Sequence, residues 1–191
     1  AIVSYAGEGY PTPGPSPVVA RALESGSCRF EHWTMLTLSQ RLLAGAQGVP
    51  FTTTRSLIGS DMAGELEAQG VYREIEDPFE PGRRQAVIRA LRPDVSFVHA
   101  WAADPAGNAI CFPPHQENVY GARAARQGVI VTVHRIVDSD FVRRHAHLVA
   151  IREPLRHVGG ERFEDQQVHR GSGSFVAQGR HARMPESGGR I

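Results

Sequence analysis

A polar segment between two glycines carries the residues best suited to chemistry. Residues 48–61 hold three threonines, two serines, Arg55 and Asp61, and Gly48 and Gly59 allow close approach of the backbone. Hydroxyl donors, one forked guanidinium and one carboxylate suit the binding of an anionic or carboxylated ligand. The alternatives are a solvated connection, since loops are usually polar, and a loop clamp in which Arg55 pairs with Asp61.

A second polar turn follows a strand-like segment further along the chain. Residues 92–102 run into the sequence Asp-Pro-Ala-Gly-Asn at 104–108, which is typical of a turn. His99 lies on the strand and Asn108 closes the turn, and both are candidate binding residues. The alternatives are a hydrogen-bonded core histidine at His99 and a simple turn former at Asn108.

Several separated motifs occur together in one order. The polar segment is followed by Asp77-Pro78-Phe79, by the 92–108 segment, by a helix pattern and by an apolar strand at 128–133. This order resembles the A (alpha) subunit of family I coenzyme A transferases, closest to the glutaconate CoA-transferase type. The resemblance covers residues 1–151. It implies a CoA-transferase-like α/β fold and the A-type component of an enzyme that moves CoA between a short acyl-CoA and a carboxylic acid.

The resemblance also implies roles for particular residues. In these transferases the catalytic glutamate belongs to a partner B (beta) subunit, where it forms a glutamyl-CoA thioester in a ping-pong cycle. No catalytic residue is therefore expected in this chain, which would line the acyl or carboxylate pocket of a hetero-oligomer. CoA would be a substrate, and no cofactor is expected. The substrate-binding residues implied are Thr54, Arg55, Ser56, Gly59, Ser60 and Asp61, bordered by His99 and Asn108.

Two other functions stay open from the sequence. A hydrolase component of the same architecture would act on an acyl-CoA or open a ring. A non-enzymatic ligand-sensing domain would be fused to a DNA-binding segment, which this sequence does not show. Transfer of CoA to an added acid, as against release of free CoA, separates the transferase from the hydrolase.

The composition excludes several mechanisms. The chain has 191 residues, 41% of them hydrophobic and 21% charged, with a net charge of +1. This balance is ordinary for a globular protein. It provides no positive electrostatic field that would attract nucleic acid or an anionic membrane. All 21 basic residues are arginine. A Walker-type phosphate loop, a pyridoxal phosphate Schiff base and a lysine aldolase cannot operate without lysine.

The cysteines and histidines show no metal-binding pattern. Cys28 and Cys111 lie far apart, so neither a zinc site nor a disulfide framework is indicated. Of the nine histidines, only His145 and His147 are two residues apart, and no further ligand motif accompanies them. No metal site is therefore expected. Because no secretory or membrane-spanning apolar run is found, a cytoplasmic location is expected.

Helix and strand signals alternate along the chain. They predict a short helix that starts at Pro17 and ends before Gly26, a helix that opens with a capping box at Thr37 and ends at Gly48, and a helix at 117–126. The strands are predicted at 28–33, 85–91, 95–102, 129–133 and 147–151, with 129–133 buried on both faces. Alternation of this kind predicts a mainly parallel β-sheet covered by helices on both faces.

The helix that ends at Gly48 bears on the electrostatics of the polar segment. If the segment starts at the C-terminus of that helix, it lies at the negative end of the helix dipole. That end would not attract a carboxylate. Arg55 and the hydroxyl groups would then have to bind the ligand.

The composition also changes along the chain. We expect a CoA-transferase-like domain at 1–151 and an Arg/Gly/Ser-rich tail at 152–191. Apolar residues are too sparse in the tail to build a packed face, which predicts a disordered or loosely packed segment that contributes little to the fold. The chain starts at Ala1 without the first strands of the resembled family, so the domain is expected to be incomplete.

Overall fold

Strands and helices alternate through the part of the chain that the computed structural model describes, which is residues 1–8, 14–152 and 174–176. This alternation confirms the α/β class predicted from the sequence. Within the described residues the chain divides into two units, Ala1–Arg92 and Pro93–Ile191.

The first unit contains seven described strands and three helices. They are β1 (Ile2–Val3), β2 (Gly7–Glu8), β3 (Gly14–Pro15), α1 (Pro17–Glu24), β4 (Glu31–His32), α2 (Met35–Gln47), β5 (Phe51–Thr54), α3 (Asp61–Ala68), β6 (Tyr72–Glu76) and β7 (Arg84–Arg89). Strand β1 pairs with β4 in parallel, and β2 pairs with β3 in antiparallel fashion. The largest sheet of this unit is antiparallel, in the order β5-β7-β6.

Local signals account for both ends of helix α1. Pro17 is its first residue, where the missing N–H is harmless and the fixed φ suits a helix. Gly26 follows the C-cap residue Ser25 and has a φ of 63°, a left-handed conformation that glycine adopts without strain. The predicted start and end of this helix are confirmed.

Helix α2 ends where the sequence predicts but starts earlier. Gly48 terminates it with a φ of 77°. At the other end the cap is Thr34: its hydroxyl accepts the N–H of Thr37 at 3.1 Å, and the Thr37 hydroxyl accepts the N–H of Thr34 at 3.1 Å. The predicted start at Thr37 is wrong because Thr37 is the third residue of the helix, and Thr34 completes the capping box with it.

A buried arginine ties α2 to two strands. Arg41 is only 2% exposed, and its Nε donates to the carbonyl oxygen of Arg89 at 2.7 Å. Its guanidinium pairs with Glu31 and lies 4.2 Å from the ring centre of Trp33. Because the carboxylate of Glu31 also accepts the Trp33 Nε1–H at 2.7 Å, the buried Arg41 and the partly buried Glu31 both have partners.

The three-stranded sheet packs against α2 and α3. Its inner face and the two helices bury Leu42, Ala63, Leu66, Tyr72, Ala86 and Ile88. Residues 51–54, which the sequence placed in a continuous binding loop, form β5 instead. They do so because Phe51 to Thr54 pair with Arg89 to Ala86 of β7.

The second unit is built on one five-stranded sheet. Its described elements are β8 (Val95–Ala103), β9 (Ala109–Ile110), α4 (Glu117–Ala124), β10 (Gly128–Ile136), α5 (Ser139–Arg144), a 3-10 turn (Ala146–Leu148), β11 (Val149–Ile151) and β12 (Ser174–Val176). The strand order is β11-β9-β8-β10-β12. Strands β8 and β10 are parallel, and the other neighbours are antiparallel.

The predicted parallel arrangement holds for only two of the described strand pairs, β1 with β4 and β8 with β10. The remaining described pairs are antiparallel. Hairpin connections account for part of the difference, since β6 returns directly into β7 and β8 returns directly into β9. A hairpin joins antiparallel strands, whereas parallel strands need a longer crossover.

Strands β8 and β10 turn one face toward the core of the second unit. That core includes Val98, Ala100, Val131 and Val133 together with Val119 and Ala122 of α4. Ile130 and Thr132 are only half-buried, so β10 is not buried on both faces as predicted. The alternation leaves Phe97 and His99 of β8 exposed on the opposite face.

The described part of the predicted tail is the short strand β12. It pairs with the free edge of β10, with Ser174 opposite Thr132 and Val176 opposite Ile130. Residues 153–173 and 177–191 lie outside the described residues. The expectation of a loosely packed tail at 152–191 therefore stays a prediction.

Candidate functional site

Six of the predicted binding residues lie together between β5 and α3. Thr54 ends the strand and is buried, and its Oγ1 accepts the backbone N–H of Ser56 at 3.1 Å. This bond closes a tight turn that leaves Arg55 exposed at its corner. The turn continues through Gly59 and Ser60 to Asp61, the first residue of α3. The six residues are Thr54, Arg55, Ser56, Gly59, Ser60 and Asp61.

Leu57 shapes this turn from within. Its φ is 78°, which is unusual for a residue with a side chain, and the side chain is only 8% exposed. The Leu57 carbonyl accepts the Ser60 N–H at 2.9 Å and the Ser60 hydroxyl at 2.7 Å. The Ser60 side chain is therefore used inside the turn, and it does not cap helix α3.

The electrostatic setting differs from the one expected from the sequence. Strand β5 separates the turn from the C-terminus of α2, and the turn leads instead into the N-terminus of α3. The N-terminus is the positive end of a helix dipole and favours anions. The expectation that this segment lies at the negative end of a helix is therefore wrong for residues 55–60.

Arg55 and Ser56 have unengaged side chains within the described part of the chain. No hydrogen bond or ion pair is found there for the Arg55 guanidinium or the Ser56 hydroxyl, and Arg55 does not pair with Asp61. The loop clamp considered from the sequence is not formed between these residues. Arg55 is thus a cation that can meet an external anion.

The charge of Arg55 reaches the neighbouring hairpin. The pKa of Asp77 is lowered mainly by a hydrogen bond from the Gln85 side chain and by the backbone N–H of Phe79, with smaller contributions from Arg83 and Arg55. Asp77 accepts these two bonds at 2.9 Å each. The Asp77-Pro78-Phe79 motif therefore forms the turn between β6 and β7, and Phe79 at its tip is 90% exposed.

In the second unit, Asn108 belongs to a turn that is satisfied internally. Asp104 is 2% exposed, and its Oδ1 accepts the backbone N–H of Asn108 at 2.9 Å. The side-chain amide of Asn108 donates to the same carboxylate at 3.0 and 3.2 Å. A cleft of about 360 Å³ opens beside it, lined in part by Asp104, Asn108, Ser139 and Arg143. Asn108 lies at this cleft, but its amide is held by Asp104.

His99 has a different set of partners in the second unit. It lies on the exposed face of β8, where its Nδ1 is 2.7 Å from Thr132 Oγ1 and its Nε2 is 3.1 Å from His134 Nε2. His99 is therefore not the core histidine considered from the sequence. His99 and Asn108 have separate hydrogen-bond partners.

Sequence reasoning did not single out Leu57, Thr132 or His134 as candidate site residues. It placed Asp104 at the start of the Asp-Pro-Ala-Gly-Asn turn without a binding role. The positive φ of Leu57 has no local sequence signal, and His99 and His134 come together only through strand pairing. Among the described residues, no three His, Cys, Asp or Glu side chains are grouped as metal ligands, and no helix is long and apolar enough to span a membrane.

A family model for coenzyme A transferase matches residues 1–151, which is the range over which the sequence shows its resemblance. Among curated proteins, the A component of the 3-oxoadipate CoA-transferase of Pseudomonas knackmussii is 36% identical over 101 residues, which are 53% of this chain and 34% of that protein. The chain thus spans about a third of the length of this relative.

Two solved structures extend the comparison. The glutaconate coenzyme A-transferase of Acidaminococcus fermentans shares the fold, with a TM-score of 0.65 at 23% identity, over 74% of this chain and 48% of the other. The decarboxylase AibA/AibB, solved as a C56S variant, is 30% identical with a TM-score of 0.58, over 72% of this chain and 50% of the other. With the family model covering most of its length, the chain belongs to the coenzyme A transferase family.

Proposed function

We propose that this chain is the A-type part of a coenzyme A transferase that moves CoA between a short acyl-CoA and a carboxylic acid. The observation that carries the proposal is the match to the family model over residues 1–151. Curated A-type components of CoA-transferases among its relatives support the same assignment. The chain spans about a third of the length of such a relative. The activity is proposed for a complex with a partner B subunit, which the family resemblance implies.

In this proposal the turn at 54–61 binds the carboxylate of the acid substrate. The Arg55 guanidinium offers a two-pronged, charge-assisted contact, and the Ser56 hydroxyl offers a further donor. The positive end of helix α3 adds a fixed dipole of the right sign. Thr54 and Ser60 use their hydroxyls inside the turn, so they position Arg55 and Ser56 rather than contact substrate.

The nucleophile in this proposal is a glutamate of the partner B subunit, which the family resemblance implies. It takes the CoA group as a glutamyl thioester and releases the first acid, and the second acid then removes CoA from it. A carboxylate is a weak nucleophile and gains from being held dry and oriented against its substrate. A substrate carboxylate fixed by Arg55 would meet that requirement.

The test is reconstitution of the full chain with the B-type component of a CoA-transferase. The complex should transfer CoA from an acyl-CoA to an added carboxylic acid with ping-pong kinetics, and the chain alone should be inactive. Vigorous acyl exchange by the chain alone would contradict the assignment of the nucleophile to the partner. Binding of a carboxylic acid without any turnover by the complex would favour the ligand-sensing alternative.

Decarboxylation is a second candidate, because AibA/AibB is a decarboxylase with 30% identity to this chain. The same reconstituted complex distinguishes the possibilities by its products. Release of CO₂ from an acyl-CoA with a second carboxylate would indicate decarboxylation. Free CoA formed without transfer to the added acid would indicate hydrolysis, and a new acyl-CoA would indicate transfer.

A further inference from the structure

Two histidines from neighbouring strands meet on the exposed face of the second unit. His99 of β8 and His134 of β10 are both exposed, and their Nε2 atoms are 3.1 Å apart. The strands are parallel neighbours with Thr132 directly opposite His99, so His134 lies diagonally across from it. Both side chains extend from regular strands, so the register of β8 with β10 fixes the spacing of their backbone positions.

Thr132 can select the tautomer of His99. Its Oγ1 lies 2.7 Å from His99 Nδ1. If Nδ1 carries the proton and donates to this hydroxyl, the Nε2 lone pair of His99 is free. A hydrogen bond of this kind to the second ring nitrogen is the usual support of a metal-binding histidine.

The ring geometry is compatible with both imidazoles binding one ion. An in-line N–H···N hydrogen bond would place the ring centres about 5.4 Å apart, whereas two rings bound to one ion at about 2.05 Å would place them about 4.8 Å apart. The observed separation of the ring centres is 4.6 Å, with the rings nearly perpendicular at 81°. The ring separation is therefore closer to that of two imidazoles on one ion than to that of an in-line hydrogen bond.

From this geometry we propose that His99 and His134 form a two-imidazole binding site for a divalent transition-metal ion. Two bonds of about 2.05 Å across the 3.1 Å gap give an N–metal–N angle of about 100°, between the tetrahedral and octahedral values. Imidazole nitrogen selects Cu²⁺, Ni²⁺ or Zn²⁺ over the oxygen-binding Mg²⁺ and Ca²⁺. Because both ligands face solvent, water completes the coordination, and the site is open to exchange.

The site is tested by titrating the full chain with Ni²⁺ alone, followed by calorimetry. The double variant His99→Ala/His134→Ala gives the background from the other seven histidines. Each single variant should lose at least tenfold in affinity at the strongest site, while His147→Ala, an exposed histidine elsewhere in the same unit, should bind like the wild type. Unchanged affinity in either His99→Ala or His134→Ala, with folding verified by circular dichroism, would overturn the proposal.

Thr132→Val provides a second, independent readout. It keeps both imidazoles and the β-branched shape but removes the hydroxyl that orients His99. Affinity should fall by about tenfold or more, as loss of a hydrogen bond behind a metal-binding histidine commonly causes. The Cu²⁺ electron paramagnetic resonance spectrum of the wild type should show two coordinated imidazole nitrogens, and one in each single histidine variant. A wild-type spectrum with a single nitrogen would exclude the shared site.

Discussion

In the first unit, the turn at 55–60 joins β5 to α3, and in the second, the turn at 104–108 joins β8 to β9. Each is closed by a side-chain oxygen that accepts a backbone N–H a few residues further on: Thr54 Oγ1 from Ser56, and Asp104 Oδ1 from Asn108. The first turn leaves its arginine exposed and unpaired among the described residues. In the second turn, the Asn108 amide donates hydrogen bonds to the Asp104 carboxylate.

The two turns show that polar composition alone does not identify a binding residue. From the sequence, Arg55 and Asn108 were both candidate binding residues, with Arg55 in the pocket lining and Asn108 at its border. Asn108 donates three bonds to the buried Asp104 carboxylate, whereas Arg55 interacts with Asp77 only through its charge. A satisfied polar group stabilises the fold, and an unsatisfied exposed cation is available to a ligand.

The largest effect is expected from Arg55→Ala in the complex with a B subunit. Loss of the guanidinium should reduce kcat/KM by about 30- to 1000-fold, or about 2 to 4 kcal/mol of transition-state stabilisation, since it leaves a substrate carboxylate unpaired. Arg55→Lys keeps the charge without the fork and should recover only part of the loss.

The matched control for Arg55 is Arg84→Ala, an exposed arginine in the same unit that pairs with Glu74. The change in transition-state stabilisation, calculated from kcat/KM, should be less than about 1 kcal/mol. If Arg55→Ala behaves like this control, Arg55 is a surface residue without a role in binding. If Asp61→Ala has the same effect as Arg55→Ala, Arg55 acts as a clamp on Asp61. In either case the first turn is not a substrate site.

The next largest effect is expected in the second turn. Asp104→Ala should lower the free energy of unfolding by about 2 to 3 kcal/mol, because it removes a buried carboxylate that accepts three hydrogen bonds from Asn108. Denaturant unfolding measures the change. Asp140→Ala in the same unit is the control: its carboxylate is 70% exposed and pairs with Arg143 at the surface, so the loss should stay below about 1 kcal/mol. Equal losses would show that the second turn is not held by its internal bonds.

A smaller effect is expected from Gly59→Ala in the first turn. The φ of Gly59 is 78° and the space around it is open, so the cost is that of a left-handed backbone alone, about 1 kcal/mol. Gly64→Ala is the same substitution inside helix α3, also in open space, and should stabilise the unit by about 0.5 to 1 kcal/mol. A stabilising Gly59→Ala, seen by thermal unfolding, would mean that the turn adopts another conformation.

The smallest effect concerns Asp77, whose pKa is lowered in the folded state in small part by Arg55. Stability contributed by a carboxylate with a lowered pKa is present above its unfolded pKa and is lost as the pH falls through the folded value. Arg55→Ala should raise the Asp77 pKa, measured by NMR, and shrink that contribution, whereas Arg84→Ala should leave it unchanged. No rise in Arg55→Ala would show that the Arg55 charge is engaged elsewhere.

Where the determinants are local, the sequence predicts the fold well. The ends of α1 and α2 follow from Gly26 and Gly48, since only glycine takes a left-handed φ at little cost. The N-cap of α2 is Thr34, three residues before the predicted Thr37, although the capping chemistry was recognised. Thr34 and Thr37 belong to one reciprocal box, and the sequence spacing alone does not say which of them lies outside the helix.

Where the determinants are non-local, the sequence predicts less. Residues 51–54 have three threonines and no apolar alternation, and they become a strand only because β7 supplies an edge. His99 and His134 are 35 residues apart and meet through the register of β8 with β10. The sign of the helix dipole at the first turn was also missed, because β5 and α3 had not been predicted.

Leu57 carries a further consequence. Its left-handed backbone is costly for a leucine, and the burial of its side chain offsets that cost. The backbone path of the turn that carries Arg55 thus depends on an apolar group two residues away. Conditions that loosen the apolar interior, such as mild denaturant, should therefore weaken the proposed binding of a carboxylate before the unit unfolds. Affinity for the acid would then report on the packing beneath the turn.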